Sequence, residues 1–170
     1  MTKSPDPLKI PFAPGDFVVY PGHGVGKVTS IETQQVSNTE VKLFVISFER
    51  DRMTLRVPVQ KAKAAGLRNV STKRTIQQAL ATMREPAGQK RAIWNRRAIE
   101  YTAKINSGEI VQIAEVLRDL RRTAGERERS HSERMLYEQA LGRMVHEVAA
   151  VEEIDVEAAT VKLELLLNAA

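Results

Sequence analysis

Apolar residues recur at every second position between Gly15 and Pro58, and at every third or fourth position from about residue 72 onward. That change of period, from 2 to about 3.6, predicts strands first and helices afterwards. Phe17–Tyr20 is β-rich and bounded by Pro14-Gly15 and Pro21-Gly22, which predicts the first strand. Lys27–Thr33 predicts a second strand, and the polar patch Gln34–Glu40, with Ser37-Asn38 inside it, a hairpin loop. Val41–Phe48 places Val41, Leu43 and Val45 on one face and Phe44, Ile46 and Phe48 on the other. With both faces apolar, this strand belongs in the middle of the sheet. Glu49-Arg50-Asp51 turns the chain into Arg52–Val57, where Met53, Leu55 and Val57 point inward and Arg52, Thr54 and Arg56 outward. Pro58 ends the pairing, because it brings no N–H to a ladder. The expectation is four short antiparallel strands in a strongly bent sheet or barrel that is not fully closed.

Residues 61–71 read as a turn and linker. Ser71 is a candidate cap for a helix carrying Ile76, Leu80 and Met83, which Glu85-Pro86-Ala87-Gly88 breaks. A second helix is expected from about Gln89 to Asn106. Its larger apolar face holds Trp94, Ala98, Tyr101 and Ile105, and a smaller one holds Ala92, Ile99 and Ala103. The third carries Ile110, Ile113, Leu117 and Leu120, and Arg118, Arg121 and Arg122 gather at its C-terminal end. Thr123–Arg129 reads as a loop. Ser130-His131-Ser132-Glu133 is a capping-box sequence opening a long helix with Tyr137, Leu141, Met144 and Val148 as its stripe. Asp155 caps a last helix carrying Val156, Ala159, Leu163, Leu166 and Leu167. The fold class is therefore α+β in two domains, a small antiparallel β domain followed by an all-α domain of about five helices.

Composition sharpens this. The chain has 170 residues, enough for two small domains, and 42% of them are hydrophobic. It has no cysteine, which excludes disulfides and thiolate metal sites and fits a reducing cytoplasm. No apolar run reaches the roughly 18 residues of a membrane span, and the N-terminus lacks the apolar segment of a signal peptide, so a soluble cytoplasmic protein is expected. Pro5, Pro7 and Pro11, without periodicity, predict a flexible tail over residues 1–11. The net charge of +5 is uneven. Residues 1–70 carry 10 Lys/Arg against 6 Asp/Glu, residues 71–134 carry 14 against 8, and residues 135–170 carry 2 against 7. A gradient of that kind suits one anionic partner surface, although ordinary solubility charge would also account for it.

Candidate chemistry is sparse. Gly22-His23-Gly24-Val25-Gly26 has three glycines in five residues, which permits a tight turn or bulge. A phosphate loop would need a following helix and a Gly-Lys-Ser/Thr, and neither pattern is present. His23, His131 and His146 stand at no metal-ligand spacing, and no nucleophile elbow appears; an enzyme, a cofactor, a metal site and a small-molecule substrate are not expected. The only tryptophan, Trp94, lies between Lys90-Arg91 and Arg96-Arg97. Two readings stand: an exposed aromatic that engages nucleic acid while cations hold phosphates, or a core residue beside a solvated face. The outward row Arg52, Thr54, Arg56 on a terminal strand likewise either binds another chain by its edge or protects that edge.

Pro14-Gly15-Asp16-Phe17-Val18-Val19-Tyr20-Pro21-Gly22-His23-Gly24-Val25-Gly26-Lys27-Val28 resembles the opening signature of the CarD/CdnL family of bacterial transcription regulators. The same module occurs as the polymerase-interacting domain of the transcription-repair coupling factor, but the helicase motifs of that protein are missing from this chain. The resemblance continues through Leu55-Arg56-Val57-Pro58, Ala65-Gly66-Leu67-Arg68, Trp94-Asn95-Arg96-Arg97, Ser107-Gly108 and Ala114–Leu120, and covers residues 12 to 167 in order. It implies a Tudor-like domain over residues 12–67 that docks on the β1 lobe of the RNA polymerase β subunit by extending a sheet, a linker over 68–71, and a helical DNA-binding domain over 72–168. The helical domain would reach promoter DNA at the upstream edge of the −10 element. There Trp94 would act as a minor-groove wedge that stabilises the open complex with little sequence reading. By motif position, Arg56 corresponds to the polymerase contact, with Arg52 and Thr54 beside it, and Arg97 and Arg118 to DNA-backbone contacts. By charge, Lys90, Arg91, Arg96, Arg122 and Arg134 join the DNA set. Gln34 stands where some members carry a basic side chain. Two other readings compete, a plain DNA-binding protein and an adaptor that bridges polymerase to a second protein through the acidic C-terminal third.

Overall fold

A computed structural model describes residues 10–88, 93–121 and 129–169. Strands β1 (Phe17–Tyr20), β2 (Gly24–Val36), β3 (Thr39–Phe48) and β4 (Met53–Pro58) are followed by a short helix α1 (Val59–Ala62) and a two-residue strand β5 (Arg68–Asn69). The sheet is antiparallel, in the order β4-β3-β2-β1-β5. Helices α2 (Lys73–Arg84), α3 (Trp94–Asn106), α4 (Ile110–Leu120), α5 (His131–Glu152) and α6 (Val156–Ala169) form the rest.

The alternation in β3 is realised on both faces: Phe44, Ile46 and Phe48 are buried on one side, Leu43 and Val45 on the other. The strand lies between β2 and β4, as its composition demands. Phe44, Ile46 and Phe48 meet Val18, Val28 and Val57 in the sheet core. Phe12 closes that core, with its ring edge-on to Phe44 at 5.5 Å, and Ile10 packs against the same cluster. Ile10 therefore belongs to the packed part of the chain, not to a tail ending at residue 11. A Cβ on Gly26 would lie 2.6 Å from Ile46 Cγ2 and 2.8 Å from Phe48 Cε1, so only glycine lets β2 cross this core.

Four other expectations are corrected. The expected loop Gln34–Glu40 is mostly strand: Val36 pairs with Thr39, and only Ser37 and Asn38 turn. Both have left-handed φ (47° and 64°), the geometry of a two-residue hairpin turn that matches strand twist. The arms of this hairpin are exposed and polar on both faces, so no alternation marks them. Arg52 lies in the preceding turn with φ 49°, outside β4. The sheet has a fifth strand inside the expected linker 68–71, where Val18 pairs with Asn69 and Val19 with Arg68. Thr72, not Ser71, caps α2, its side-chain oxygen accepting from the Thr75 N–H.

The helical stripes pack as their spacing predicts. Ile76, Leu80 and Met83 of α2, Tyr101 and Ile105 of α3, Ile110, Ile113, Leu117 and Leu120 of α4, Met144 and Val148 of α5, and Ala159, Leu163 and Leu167 of α6 share one core. The ambiguity in α3 is resolved toward its larger face, since Ile99 is 73% exposed. Ser130 caps α5 and Asp155 caps α6. Among the described residues, no helix is long and apolar enough to cross a membrane.

The sheet and the helices meet through buried polar contacts. Glu147 of α5, 3% exposed, takes Arg68 Nη2 on Oε1 at 2.8 Å, and Arg68 Nη1 (3.3 Å) and the Ser71 N–H (2.9 Å) on Oε2. The Ser71 hydroxyl donates to the same Oε2. Arg68 also donates to the Gly108 carbonyl between α3 and α4, at 2.6 and 2.9 Å. Arg143 of α5 donates to the carbonyls of Gly22 (2.6 Å) and Ile105 (3.0 Å). Burial, and then the nearby charge of Arg50, push this guanidinium below its ordinary pKa. The Pro21 ring fills the space over Gly66 and Gly108.

Candidate functional site

The start of α3, the C-terminal ends of α2 and α4 and the start of α5 converge at the end of the helical bundle remote from the sheet. Trp94 donates to Ser132, and Arg129 Nε donates to the Leu120 carbonyl at 3.0 Å. Arg121 reaches back to the end of α2. From Ser132 to the junction residue Glu147, α5 rises roughly 22 Å at 1.5 Å per residue.

Trp94 is the first residue of α3, not part of its interior. Ile93 before it is extended (φ −63°, ψ 155°), so the helix does not run back toward Gln89. Lys90, Arg91 and Arg122 lie outside the described residues. The indole is half-buried and held on three sides. Its Nε1 donates to Ser132 Oγ at 2.9 Å, its ring lies 6.2 Å from the Tyr101 ring, and the Arg97 guanidinium sits 5.4 Å from both ring centroids. Arg97 Nη2 also donates to the Tyr101 hydroxyl at 3.1 Å. One side of the ring packs on the core cluster, and the remainder is open. Ile93 beside it is 70% exposed.

The arginines near this end divide by environment. Arg96 and Arg134 are exposed and have no ion-pair partner among the described residues. Arg118 is paired with Asp119 (2.9 Å) and Glu85 (3.2 Å). Burial alone would raise the Asp119 pKa, but the bonds from Arg118 and the Gly88 N–H and the charge of Lys104 hold it below the usual carboxylate range. Arg121 is buried and donates to the carbonyls of Met83 (2.7 Å) and Glu85 (3.1 Å), which closes the C-terminus of α2. Arg129 covers the Tyr137 ring at 3.9 Å. Sequence reasoning missed Ser132 as a support for the indole. A serine two residues after a helix cap carries no signal of its own.

At the other end of the molecule β4 forms the edge of the sheet, next to β3 alone. Thr54 and Arg56 are exposed on it. Arg56 Nε is 3.1 Å from Glu32 Oε2 across the face of the sheet, with side chains 50% and 40% exposed. Such a pair is worth roughly 0–1 kcal/mol, so Arg56 is available to an acidic partner at little cost. Among the described residues no three His, Cys, Asp or Glu are grouped to hold a metal ion.

An antiparallel sheet edged by β4 and joined by buried polar contacts to a helical bundle with an aromatic among arginines defines a two-module protein. Comparison with known proteins agrees. Residues 12–71 match the CarD-like/TRCF RID domain, and residues 78–164 match the C-terminal domain of CarD. The chain belongs to the CarD family of transcription regulators. It is 28% identical over 143 residues to the Bacillus subtilis (strain 168) protein named "Putative transcription factor YdeB", covering 84% of this chain and 94% of that one. It is also similar to the 72-residue N-terminal domain of Myxococcus xanthus CarD solved by NMR, with 34% identity, 34% of this chain and 77% of that chain covered, and a TM-score of 0.30.

Proposed function

We propose that this protein binds RNA polymerase and promoter DNA together and stabilises the open promoter complex. The sheet docks on the β1 lobe of the polymerase β subunit through the β4 edge, with Thr54 and Arg56 on it and Arg52 in the turn before it. The bundle end carrying Trp94 enters the minor groove at the upstream edge of the bubble, and Arg96, Arg97, Arg118 and Arg134 lie against the phosphates. Lys90, Arg91 and Arg122 complete that set from outside the described residues. The protein acts in the bacterial cytoplasm, with no catalytic step of its own.

One observation carries this reading: the single indole stands at the first residue of α3, part-exposed and held by Ser132, Tyr101 and Arg97. An apolar wedge must overcome unstacking of a few kcal/mol per base step. At a bubble edge the step is already unstacked, so the wedge favours open over closed DNA. A ring held in place beforehand loses little entropy on binding. Only differential affinity moves that equilibrium, and a preference of about 1.4 kcal/mol means about tenfold more open complex.

The test is the lifetime of open complexes on a polymerase-limited promoter after addition of a competitor, with and without the protein, together with a footprint. A longer lifetime and new protection at the upstream bubble edge are expected. Equal binding to promoter fragments without polymerase, with a steep salt dependence and no change in lifetime, would identify a plain DNA-binding protein instead.

A further inference from the structure

We propose that Glu147 and Arg68 are positioning residues that hold the two modules at one fixed separation, so that the β4 edge and Trp94 reach their targets simultaneously. This rests on the two-contact reading above. The junction is built as a lock. Glu147 is 3% exposed, and every donor given to its carboxylate comes from chain segments outside the helical core: Arg68 of β5, and Ser71 beyond it. The same Arg68 fork grips the Gly108 carbonyl, which ties β5 to the α3–α4 turn as well as to α5. A second, separate tie runs from Arg143 to the Gly22 carbonyl in the β1–β2 turn. Between them the Pro21 ring lies against Gly66 and Gly108, where a Cβ would come within 2.8 and 3.0 Å of it. Two chain segments of the sheet module, Pro21-Gly22 and Arg68 to Ser71, are thus fastened to α5 and the α3–α4 turn.

A buried carboxylate with bidentate arginine is a poor device for stability, since well-packed apolar groups do as well. Its directional bonds are suited to fixing orientation. The consequence is functional. When two contacts share one rigid body, engaging the first presents the second at a high effective concentration, and that gain disappears when the geometry is lost. The separate affinities of the sheet for polymerase and of the bundle for DNA do not depend on the lock; their coupling does.

The full chain supplies the experiment. It has no cysteine, so Lys42→Cys on β3 and Val161→Cys on α6, both exposed, take one spin label each. The doubly labelled protein should give a single narrow distance distribution, and the same protein with Glu147→Ala a broad one. Glu147→Ala should bind the isolated polymerase β1 lobe as the wild type does, yet lose about tenfold or more of the open-complex lifetime that the wild type adds. A distribution that stays narrow, or a lifetime that stays long, overturns the proposal. If Glu147→Ala does not fold, Arg68→Lys keeps the charge without the two-pronged grip and is read in the same way. A wild-type protein without effect on lifetime would overturn the open-complex reading, and with it the positioning role, while a narrow distance would still establish the rigid junction.

Discussion

Trp94→Ala separates a wedge from a core residue because a wedge is lost with the open-complex effect while the fold stays cooperative. The stack on Tyr101 contributes about 0.5–1.5 kcal/mol beyond area burial. Arg97 at 5.4 Å adds about 0.5–1 kcal/mol as an exposed cation–π contact. The bond from Nε1 to Ser132 lies at the surface and is replaced by water, so its net loss falls at the low end of about 0.5–1.5 kcal/mol. Losing the buried part of the ring, packed on the core cluster, adds more than about 1 kcal/mol at about 25 cal/mol/Å², so the total is about 3–4 kcal/mol, at the low end of the roughly 3–5 kcal/mol of truncating a buried Phe or Trp. For a chain of this size that corresponds to a melting temperature lowered by about 6–16 °C, with cooperativity retained. Open-complex lifetime, by contrast, should fall to the value of polymerase alone, while affinity for the β1 lobe is unchanged. The ring is the chain's only tryptophan, so the fluorescence of the protein mixed with a bubble-mimicking DNA duplex reports it directly and should change on binding. Trp94→Phe, which keeps the stack and loses the indole N–H, should retain part of the effect. A variant that melts more than about 20 °C lower would refute the half-exposed placement. A stable variant with full lifetime enhancement would refute the wedge.

Four further outcomes follow from the geometry. Arg56→Glu should abolish pull-down of the polymerase β subunit and lower stability by no more than about 1 kcal/mol, since it breaks only an exposed pair with Glu32; an unchanged pull-down would remove the β4 edge from the interface. Gly26→Ala forces a Cβ against Ile46 and Phe48 and should cost about 1–3 kcal/mol in denaturant unfolding, where a neutral result would contradict the tight crossing of β2 over the sheet core. Arg121→Ala strips one buried and one part-buried carbonyl of a charged donor and should cost about 2–3 kcal/mol, with DNA engagement unaffected in the fraction that folds. Asp119 has its pKa lowered in the fold, so its contribution is present above its unfolded value and is lost as pH falls through the folded one; Asp119→Asn should lose stability at neutral pH and show a flatter acid limb below about pH 4 in a series of melting curves.

What was legible in the chain, and what was not, divides along one physical line. A stripe such as Ile76, Leu80 and Met83, or the two faces of Val41–Phe48, is a local pattern repeated over several residues, and burial follows it closely. β5 is only Arg68 and Asn69, too short to show a period, and it exists because the far end of the sheet needs a partner for β1. The start of α3 was misplaced for a related reason: residues 89–93 carry helix-compatible side chains, and the extended Ile93 that begins the helix at Trp94 is set by tertiary context. Arg121 looked like its neighbours Arg118 and Arg122, a cation in the last turn of a helix, and nothing local distinguishes the one that turns inward to close α2.

The glycine-rich signature gains its meaning only in three dimensions. Read alone, Pro21-Gly22-His23-Gly24-Val25-Gly26 permits a tight turn and little else. In the fold each part has a different neighbour: Pro21 packs over Gly66 and Gly108, Gly22 offers its carbonyl to Arg143, and Gly26 passes between Ile46 and Phe48. Three of the four partner segments lie more than 35 positions away in sequence, in β5's approach, the α3–α4 turn and α5. Substituting any of the three would therefore disturb the joint between the modules or the sheet core under it, while leaving the β4 edge and the indole chemically intact. Under the proposed function, a motif this far from Trp94 would govern how Trp94 is presented. The residues that meet the partners can be exposed and few, provided that those that meet one another hold them at a single distance.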